Sequence, residues 1–357
     1  MIEAHFGERA PFSVGVEEEL MVLDGESLLL TPRAHEVIGA SEGAGLPGTL
    51  KSELFASALE LNTGICESPE QAAAALAELR RGGAGLAEER GLRLAAAGSH
   101  PISRPEEQEI ADDPRYREFV EYAGVSARRQ GVSGLHVHVG MASADECFHA
   151  LEAVLPWLPV VLALSVNSPY LSGEKTGLLS NRAEILAQLP RAGAPPAFRS
   201  YADWEQFVER FMSIGLVDGY TRFWWDIRPH PQLGTLEIRM PDQPTALERT
   251  AGLVALLQGL CEAVLEQPPP EHDPARRGLY QQNRWAASRF GLAAQLFHPD
   301  GDRIAPASEL AAELVELAGT PGVDVSDAEA ERQLEIGRAQ GLDAVCAYLV
   351  EGTLSSS

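Results

Sequence analysis

The sequence has few cysteines, and none shows the paired spacing of a zinc site or a disulfide framework. The four cysteines lie far apart, at positions 66, 147, 261 and 346, without a C-x-x-C motif. Cysteines used in this way are typical of reducing compartments. The first residues lack a basic segment followed by an apolar run, so we expect no signal peptide. The sequence therefore predicts a cytoplasmic protein.

Basic residues are also scarce. The chain has 28 Lys and Arg residues against 52 Asp and Glu residues, which gives a formal charge of −24. A surface of this sign repels nucleic-acid phosphates and anionic lipids, so we expect neither nucleic acid nor a membrane surface as a partner. No run approaches the roughly 20 continuous apolar residues of a membrane-spanning helix.

The common nucleotide-binding and hydrolase motifs are missing. The chain contains no G-x-x-x-x-G-K-[ST] loop, no G-x-G-x-x-G after a strand and no G-x-S-x-G elbow. P-loop, Rossmann and α/β-hydrolase chemistry therefore lack support.

The remaining pattern indicates an α+β fold. With 357 residues, 45 % of them apolar and 22 % charged, the chain can bury a sizeable core. Strand patterns concentrate before residue 242, and helical patterns continue from about 245 to 351. The absence of a regular βαβ rhythm favours a largely antiparallel sheet. We interpret residues 1–357 as a single catalytic domain with a helical C-terminal portion.

Charged residues interrupt several segments that otherwise resemble core strands. In GVEEEL, alternation places Glu17 and Glu19 on one strand face and Glu18 on the other. Two adjacent carboxylates repel each other unless they are protonated or bridged by a cation. A solvated strand face explains this pattern equally well.

A second acidic pair, Glu53 and Glu60, lies within LKSELFASALELNTG. A spacing of seven residues places them on one face of a helix but on opposite faces of a continuous strand. Both can serve one site only if the segment bends or is partly helical, and local periodicity does not decide between these cases.

Two further strands carry same-face pairs. His136 and His138 alternate in GLHVHVG, and Glu237 and Arg239 alternate in LEIR. Histidine in a strand is commonly a core residue, and the Glu–Arg pair can be an internal ion pair. Together, however, carboxylates for Mg²⁺ and a guanidinium for phosphate form a consistent ATP site without a P-loop.

Seven strings in the chain resemble, in order and spacing, the carboxylate–amine ligases of the type 2 glutamate–cysteine ligase group. They are GVEEEL, ELFASALELNTGIC, GLHVHVGM, LSVNSPY, TGLLSNR with AQLPRAGAPPAF, WWDIRPHPQLGTLEIRMPD and NRWAASRFGL. The likeness runs from about Ser13 to about Glu351.

This resemblance implies a glutamine-synthetase-like fold, in which a curved, largely antiparallel sheet forms a funnel with flanking helices. It implies ATP and Mg²⁺ as cofactors, with Mn²⁺ as an alternative ion. The metal ligands that it implies are Glu17, Glu19, Glu53, Glu60, His136 and Glu237. It also implies that Arg239 faces the phosphate during catalysis and that Lys51 and Arg182 contact the nucleotide. His138 is the candidate for a general base.

The implied reaction joins two small molecules. A carboxylate attacks the γ-phosphate of ATP to give an acyl phosphate, and an amine then displaces phosphate to form an amide, with a γ-glutamyl amide as one candidate product. Departures from the family pattern at Asn181, at 171–173 and at Pro241 leave both substrates open. The apolar C-terminal helices are compatible with a homodimer, although core packing explains them equally well.

Two alternatives remain at this point. The broader fold also includes guanidino kinases, so a phosphotransferase is a second hypothesis, although none of the four cysteines falls in these clusters. A protein that binds ATP or metal but has lost catalysis is a third, because fold alone does not establish function.

Overall fold

The computed structural model describes residues 2–355, within which it contains eleven strands and thirteen α-helices. The strands are β1 (Val14–Asp24), β2 (Gly48–Ser52), β3 (Ala58–Thr63), β4 (Leu92–Ala95), β5 (Leu135–Gly140), β6 (Tyr170–Leu171), β7 (Glu174–Lys175), β8 (Ile227–His230), β9 (Thr235–Ile238), β10 (Gln295–Phe297) and β11 (Ile304–Pro306). The helices are α1 (Ala34–Ser41), α2 (Pro69–Glu88), α3 (Pro114–Ala123), α4 (Val125–Arg128), α5 (Ala144–Val154), α6 (Leu158–Ser165), α7 (Asn181–Leu186), α8 (Tyr201–Ser213), α9 (Leu247–Leu265), α10 (Arg276–Phe290), α11 (Ala307–Leu317), α12 (Glu329–Gln340) and α13 (Leu342–Leu354).

Seven strands form one sheet in the order β2-β3-β1-β5-β9-β8, with β4 beside β1. Every neighbouring pair in this sheet is antiparallel. The long strand β1 pairs with β5 through Val14–Glu18 and with β4 through Met21–Asp24. The expected α+β fold with an antiparallel sheet is confirmed.

Alternation along β1 separates a core face from a polar face. Val14, Val16 and Leu20 are at most 1 % exposed and belong to the main apolar core. Glu18 lies on this same core face, where Arg80 of α2 donates from Nε to Oε2 at 2.7 Å. The opposite face carries Glu17 and Glu19 and is the face on which the candidate site lies.

The C-terminal part is helical, as expected, except for the hairpin β10–β11. The expectation of helix almost throughout this part is wrong there. Each strand has three residues, which is too short for a period-two pattern to be visible in the sequence. The side chain of Asn283 fixes the hairpin by donating to the Phe297 carbonyl at 2.7 Å and accepting from the Phe297 N–H at 2.8 Å.

One helical stretch, Ala144–Ser165, is long and apolar enough to cross a membrane by length and composition. No such run was expected from the sequence, because Asp145, Glu146 and Glu152 interrupt it. In the structure, 72 % of its most apolar window is buried within the fold. The stretch, which comprises α5, a short 3-10 turn and α6, therefore packs as core helices do.

Candidate active site

Strand register brings the sequence-predicted acidic and histidine side chains together on the polar face of the sheet. Glu19 of β1 lies opposite Glu60 of β3, and Glu17 lies opposite His136 of β5. On the next strand pair, His138 lies opposite Glu237 of β9. Directly opposed residues have neighbouring side chains. The sheet therefore aligns one group after another across four strands.

Glu53 joins this row because the chain bends between β2 and β3. The segment is neither a helix nor one continuous strand: β2 ends at Ser52 and β3 begins at Ala58. The bend is held by a hydrogen bond from the Ala56 N–H to the Glu109 carbonyl and by one from the Ala111 N–H to the Leu54 carbonyl, both 2.9 Å long. The question that periodicity left open is thus answered by a turn.

The side chains form three overlapping groups in which all potential ligand atoms lie within 4.8 Å of one another. The groups are Glu19, Glu53 and Glu60; Glu17, Glu60 and His136; and Glu17, His138 and Glu237. Because neighbouring groups share Glu60 or Glu17, they describe three adjacent positions for a cation.

Electrostatics differ along this row. Burial raises the pKa of Glu53 well above its usual range, and the nearby charges of Glu60 and Glu19 add to the effect. Burial, with the charges of Glu17 and Glu19, also raises the pKa of Glu60 to about 7. Carboxylates that repel one another in this way suit a divalent cation, because a bound positive charge would offset their repulsion.

Glu17 shows the opposite behaviour. Burial alone would raise its pKa, but hydrogen bonds with His136 and His138 hold the pKa well below its usual range. His136 Nδ1 lies 3.1 Å from Glu17 Oε2, and His138 Nε2 lies 3.5 Å from Glu17 Oε1. Glu17 is therefore an ionised carboxylate shared by two cation positions.

Arg228 belongs to the site although the sequence analysis missed it. It lies opposite Glu237 in the β8–β9 register and donates from Nε to Glu237 Oε2 at 2.5 Å. Arg239 contacts the other oxygen of the same carboxylate. Although burial raises the pKa of Glu237, the two guanidinium groups hold it well below its usual range. The alternation Asp226-x-Arg228 in WWDIRP was the sequence signal.

His138, the candidate general base, has the surroundings of a metal ligand. Its Nδ1 lies 3.0 Å from Thr235 Oγ1, which fixes the ring orientation. Its Nε2 faces Glu17 and belongs to the third ligand group with Glu237. A ring held from one nitrogen and directed at carboxylates with the other is the usual arrangement of a metal-bound imidazole.

Arg182 lies at the site, but backbone carbonyls already engage its guanidinium. Nη1 donates to the Met240 carbonyl at 3.1 Å and Nη2 to the Arg239 carbonyl at 3.0 Å. A Cβ at Gly134 would lie 2.0 Å from Arg182 Nη2, so only glycine leaves room for this side chain. Arg182 thus fixes the backbone that carries Arg239.

Two other positions singled out from the sequence lie outside the cavity lining. Lys51 is exposed on β2, where its Nζ donates to Asn62 Oδ1 at 2.9 Å. Asn181 is buried in α7. Lys51 nevertheless lies opposite Glu60 in the β2–β3 register, and Asn62 Nδ2 donates to Glu60 Oε1 at 2.6 Å. The structure therefore places Lys51 next to the ligand row, one hydrogen-bonded side chain away from Glu60.

A cavity of about 1000 Å³ lies beside the ligand row and is lined by Glu19, Glu53 and His136 of that row. Gln130 also lines it and is 8 % exposed. Its Nε2 donates to the carbonyls of Ser126 and Ile185, at 2.9 and 3.1 Å, which fixes the amide orientation. Its buried Oε1 has no hydrogen-bond partner within residues 2–355. Gln130 is thus fixed in orientation beside the cavity, with a buried acceptor oxygen that no described group uses.

Known proteins match this chain over most of its length. Residues 13–340 match the model of glutamate–cysteine ligase family 2. A candidate glutamate–cysteine ligase 2-3 of Rubrobacter xylanophilus is 43 % identical over 358 residues, covering 99 % of this chain and 97 % of that protein. A candidate glutamate–cysteine ligase 2 of Herpetosiphon aurantiacus is 33 % identical, covering 96 % and 94 %.

Solved structures share the fold at low identity. A glutamate–cysteine ligase of Francisella tularensis in complex with AMP is 15 % identical with a TM-score of 0.72, and the match covers 98 % of this chain and 90 % of that one. A bifunctional glutathione synthetase of Pasteurella multocida is also 15 % identical, with a TM-score of 0.71, covering 96 % and 52 %. These matches confirm the ligase fold that the resemblance implied.

Proposed function

The chain belongs to glutamate–cysteine ligase family 2, and from that premise we propose that it activates an amino-acid carboxylate with ATP and Mg²⁺ and transfers the acyl group to an amine. It is an ATP-dependent carboxylate–amine ligase, as its family is. We propose the ions, the roles of the residues and the substrates from the geometry of the site. The observation that carries the proposal is the row of three overlapping ligand groups beside one cavity.

The donor set fits Mg²⁺ through its carboxylate oxygens. The group formed by Glu19, Glu53 and Glu60 offers oxygen atoms only, which is what this hard cation prefers. The other two groups each include one imidazole, a donor that Mn²⁺ accepts more readily. When bound, such ions neutralise the polyphosphate and the transferred phosphoryl group.

The arginines of the site supply fixed positive charge. Arg239 lies 3.4 Å from His136 through Nη1 and Nδ1, and it contacts Glu237. In this position it can stabilise charge on the equatorial phosphoryl oxygens without reorganising. Arg228 holds the other side of Glu237, and Arg182 holds the backbone of Arg239. We propose that Arg239 touches the substrate and that the other two position it.

Gln130 is suited to bind a substrate amine. Its N–H groups are used internally and its buried Oε1 has no partner, so a substrate donor such as an amino group would complement this oxygen. The relatives' names make glutamate and cysteine the first pair to test. We therefore propose a γ-glutamyl amide as the first product to look for.

The decisive experiment measures ADP release with Mg²⁺·ATP against a matrix of carboxylates and amines, including glutamate with cysteine. We expect ADP only when both partners are present, together with an amide detected by mass spectrometry. A phosphorylated amine without amide would favour a guanidino kinase instead. That alternative is weakened by the burial of all four cysteines, none of which lines the cavity.

Two glutamate variants test whether the activity depends on the ligand row. Glu19→Gln should abolish ADP release because it removes a ligand oxygen from the all-carboxylate group. Glu78→Gln, an exposed change on α2, should leave turnover unchanged. The proposed catalysis would be contradicted if the wild-type protein released no ADP with any pair in a broad matrix of carboxylates and amines and if EDTA did not change its nucleotide binding.

A further inference from the structure

Helix α3 forms part of the wall of the active-site cavity, although none of its residues is fully buried. Its Tyr116 and Phe119 line the cavity. The helix ends at Gly124, whose φ of 59° lies in the region that glycine adopts most easily. A helix of ten residues with so little burial needs specific contacts to hold it in place.

Three aromatic side chains on one side of α3 supply those contacts. Tyr116 donates through its hydroxyl to the Ser52 carbonyl at 2.7 Å, beside Glu53. The ring of Phe119 packs against Trp224, with centroids 5.1 Å apart. Tyr122 reaches Arg191. The helix is therefore tied at three points along its length.

Arg191 connects α3 to the opposite wall. Its Nη1 donates to the Tyr122 hydroxyl at 2.9 Å, and its Nε donates to the Arg222 carbonyl at 3.0 Å. The centre of its guanidinium lies 5.5 to 5.6 Å from the ring centroids of Tyr122, Phe223 and Trp224. Guanidinium groups at such distances are attracted to aromatic faces.

The backbone of Arg191 supports the same interpretation. Its φ of 60° is unusual for a residue with a side chain and costs free energy. Such a conformation persists only where surrounding contacts maintain it. The contacts that hold this segment are those between the guanidinium and the two cavity walls and, two residues on, the bridge from Gly193 to Trp225.

We propose that Arg191 is a positioning residue that clamps α3 to Trp224, so that Phe119 and Trp224 form the wall against which the accepting amine packs. This inference rests on the proposed ligase function. Arg191 touches no reacting atom and acts through the two aromatic side chains.

The amine is the substrate that this wall suits. The Arg239 guanidinium lines the cavity at the Glu237 end of the ligand row, where Arg228 holds the other oxygen of Glu237, and it suits the triphosphate, the most anionic ligand. The aromatic wall begins at the other end, beside Glu53, and the two arginines that line the cavity near it, Arg115 and Arg222, are each paired with an aspartate. An aromatic face whose neighbouring charges are already paired favours the apolar part of an amine over phosphate oxygens.

The test compares Arg191→Met with Arg191→Lys and with Arg199→Met, an exposed arginine in the same loop. Loss of the clamp should raise KM for the amine by about tenfold, a factor equal to about 1.4 kcal/mol, within the range of a few cation–π contacts. The value of kcat and the KM for ATP should change less than about twofold. Lysine should restore part of the affinity because it keeps the charge, and Arg199→Met should behave as wild type.

Hydrogen exchange gives a second readout that does not require turnover. Amides of residues 115–123 should exchange about tenfold faster in Arg191→Met and remain unchanged in Arg199→Met. Unchanged exchange in Arg191→Met overturns the clamp. A rise in KM for ATP in place of the amine overturns the assignment of the wall. If the wild-type protein releases no ADP with any pair, the proposed function fails, while exchange still decides whether the clamp exists.

Discussion

Replacing Glu60 by glutamine tests whether the ligand row stores electrostatic repulsion in the metal-free protein. Glu60 belongs to two of the three ligand groups, and burial with the charges of Glu17 and Glu19 raises its pKa from 4.5 to about 7. In the unfolded chain the same carboxyl group titrates near its ordinary value. The folded state therefore binds more protons than the unfolded state between these two pKa values.

The sign and size of the effect follow from this difference. Because the pKa of Glu60 is raised in the folded state, the stability that this group contributes is greatest below about pH 4.5 and is lost as the pH rises to about 7. The difference between 4.5 and about 7 corresponds to a loss of up to about 3 kcal/mol for Glu60. Glu60→Gln removes this charge, so the variant should lose less stability over the same pH window.

The assay is thermal unfolding in EDTA between pH 5 and pH 8. Across this range the wild-type melting temperature should fall by on the order of 5 °C more than that of Glu60→Gln. Adding Mg²⁺ at pH 8 should raise the melting temperature of wild type more than that of the variant, because the ion binds the folded state through this carboxylate.

Glu18→Gln is the matched control on the other face of the same sheet. Glu18 is fully buried and paired with Arg80, so its loss leaves a buried guanidinium without its partner. We expect destabilisation of about 3–5 kcal/mol at every pH in the window.

The result that would refute the electrostatic explanation concerns Glu60→Gln. If this variant melted at a lower temperature than wild type in EDTA at pH 8, the carboxylates of the ligand row would not repel one another in the metal-free protein.

Two further substitutions test neighbouring parts of the site. Arg228→Met should lower the free energy of unfolding by about 3 kcal/mol and abolish ADP release, because the buried Glu237 carboxylate loses a partner and its orientation. Normal turnover of this variant would show that Glu237 does not act at the site. Gln130→Leu should raise KM for one substrate by about tenfold, because the acceptor Oε1 is lost, and should lower stability by about 1–3 kcal/mol, because the carbonyls of Ser126 and Ile185 lose their donor. An unchanged KM for ATP, carboxylate and amine would exclude Gln130 from substrate binding.

Local periodicity was sufficient to predict which side chains share a strand face. Glu17 with Glu19, His136 with His138, and Glu237 with Arg239 each lie two residues apart, and the period of a strand fixes their common side. This information needs no knowledge of the neighbouring strand. For that reason the pairs were accessible before the fold was known.

Contacts between strands were not accessible in the same way. That Glu19 lies opposite Glu60, or Arg228 opposite Glu237, depends on register between segments that local pattern does not relate. Arg228 was missed because its partner is defined only by that register. The position of Glu53 depends on the bend after Ser52, which hydrogen bonds to residues 109–111 stabilise from a distance.

Three consecutive glutamates in β1 have two different roles, and the buried one supports the others. Glu18 accepts hydrogen bonds on the core face from Arg80 and from Gln243 Nε2, the latter at 2.9 Å. The same Gln243 accepts the Glu19 N–H through Oε1 at 3.1 Å. Through this one amide, the core-face carboxylate and the backbone of a ligand residue are held in a fixed relation. A metal site needs its ligands preorganised, and here the buried polar network behind the sheet supplies the rigidity that the open cavity cannot.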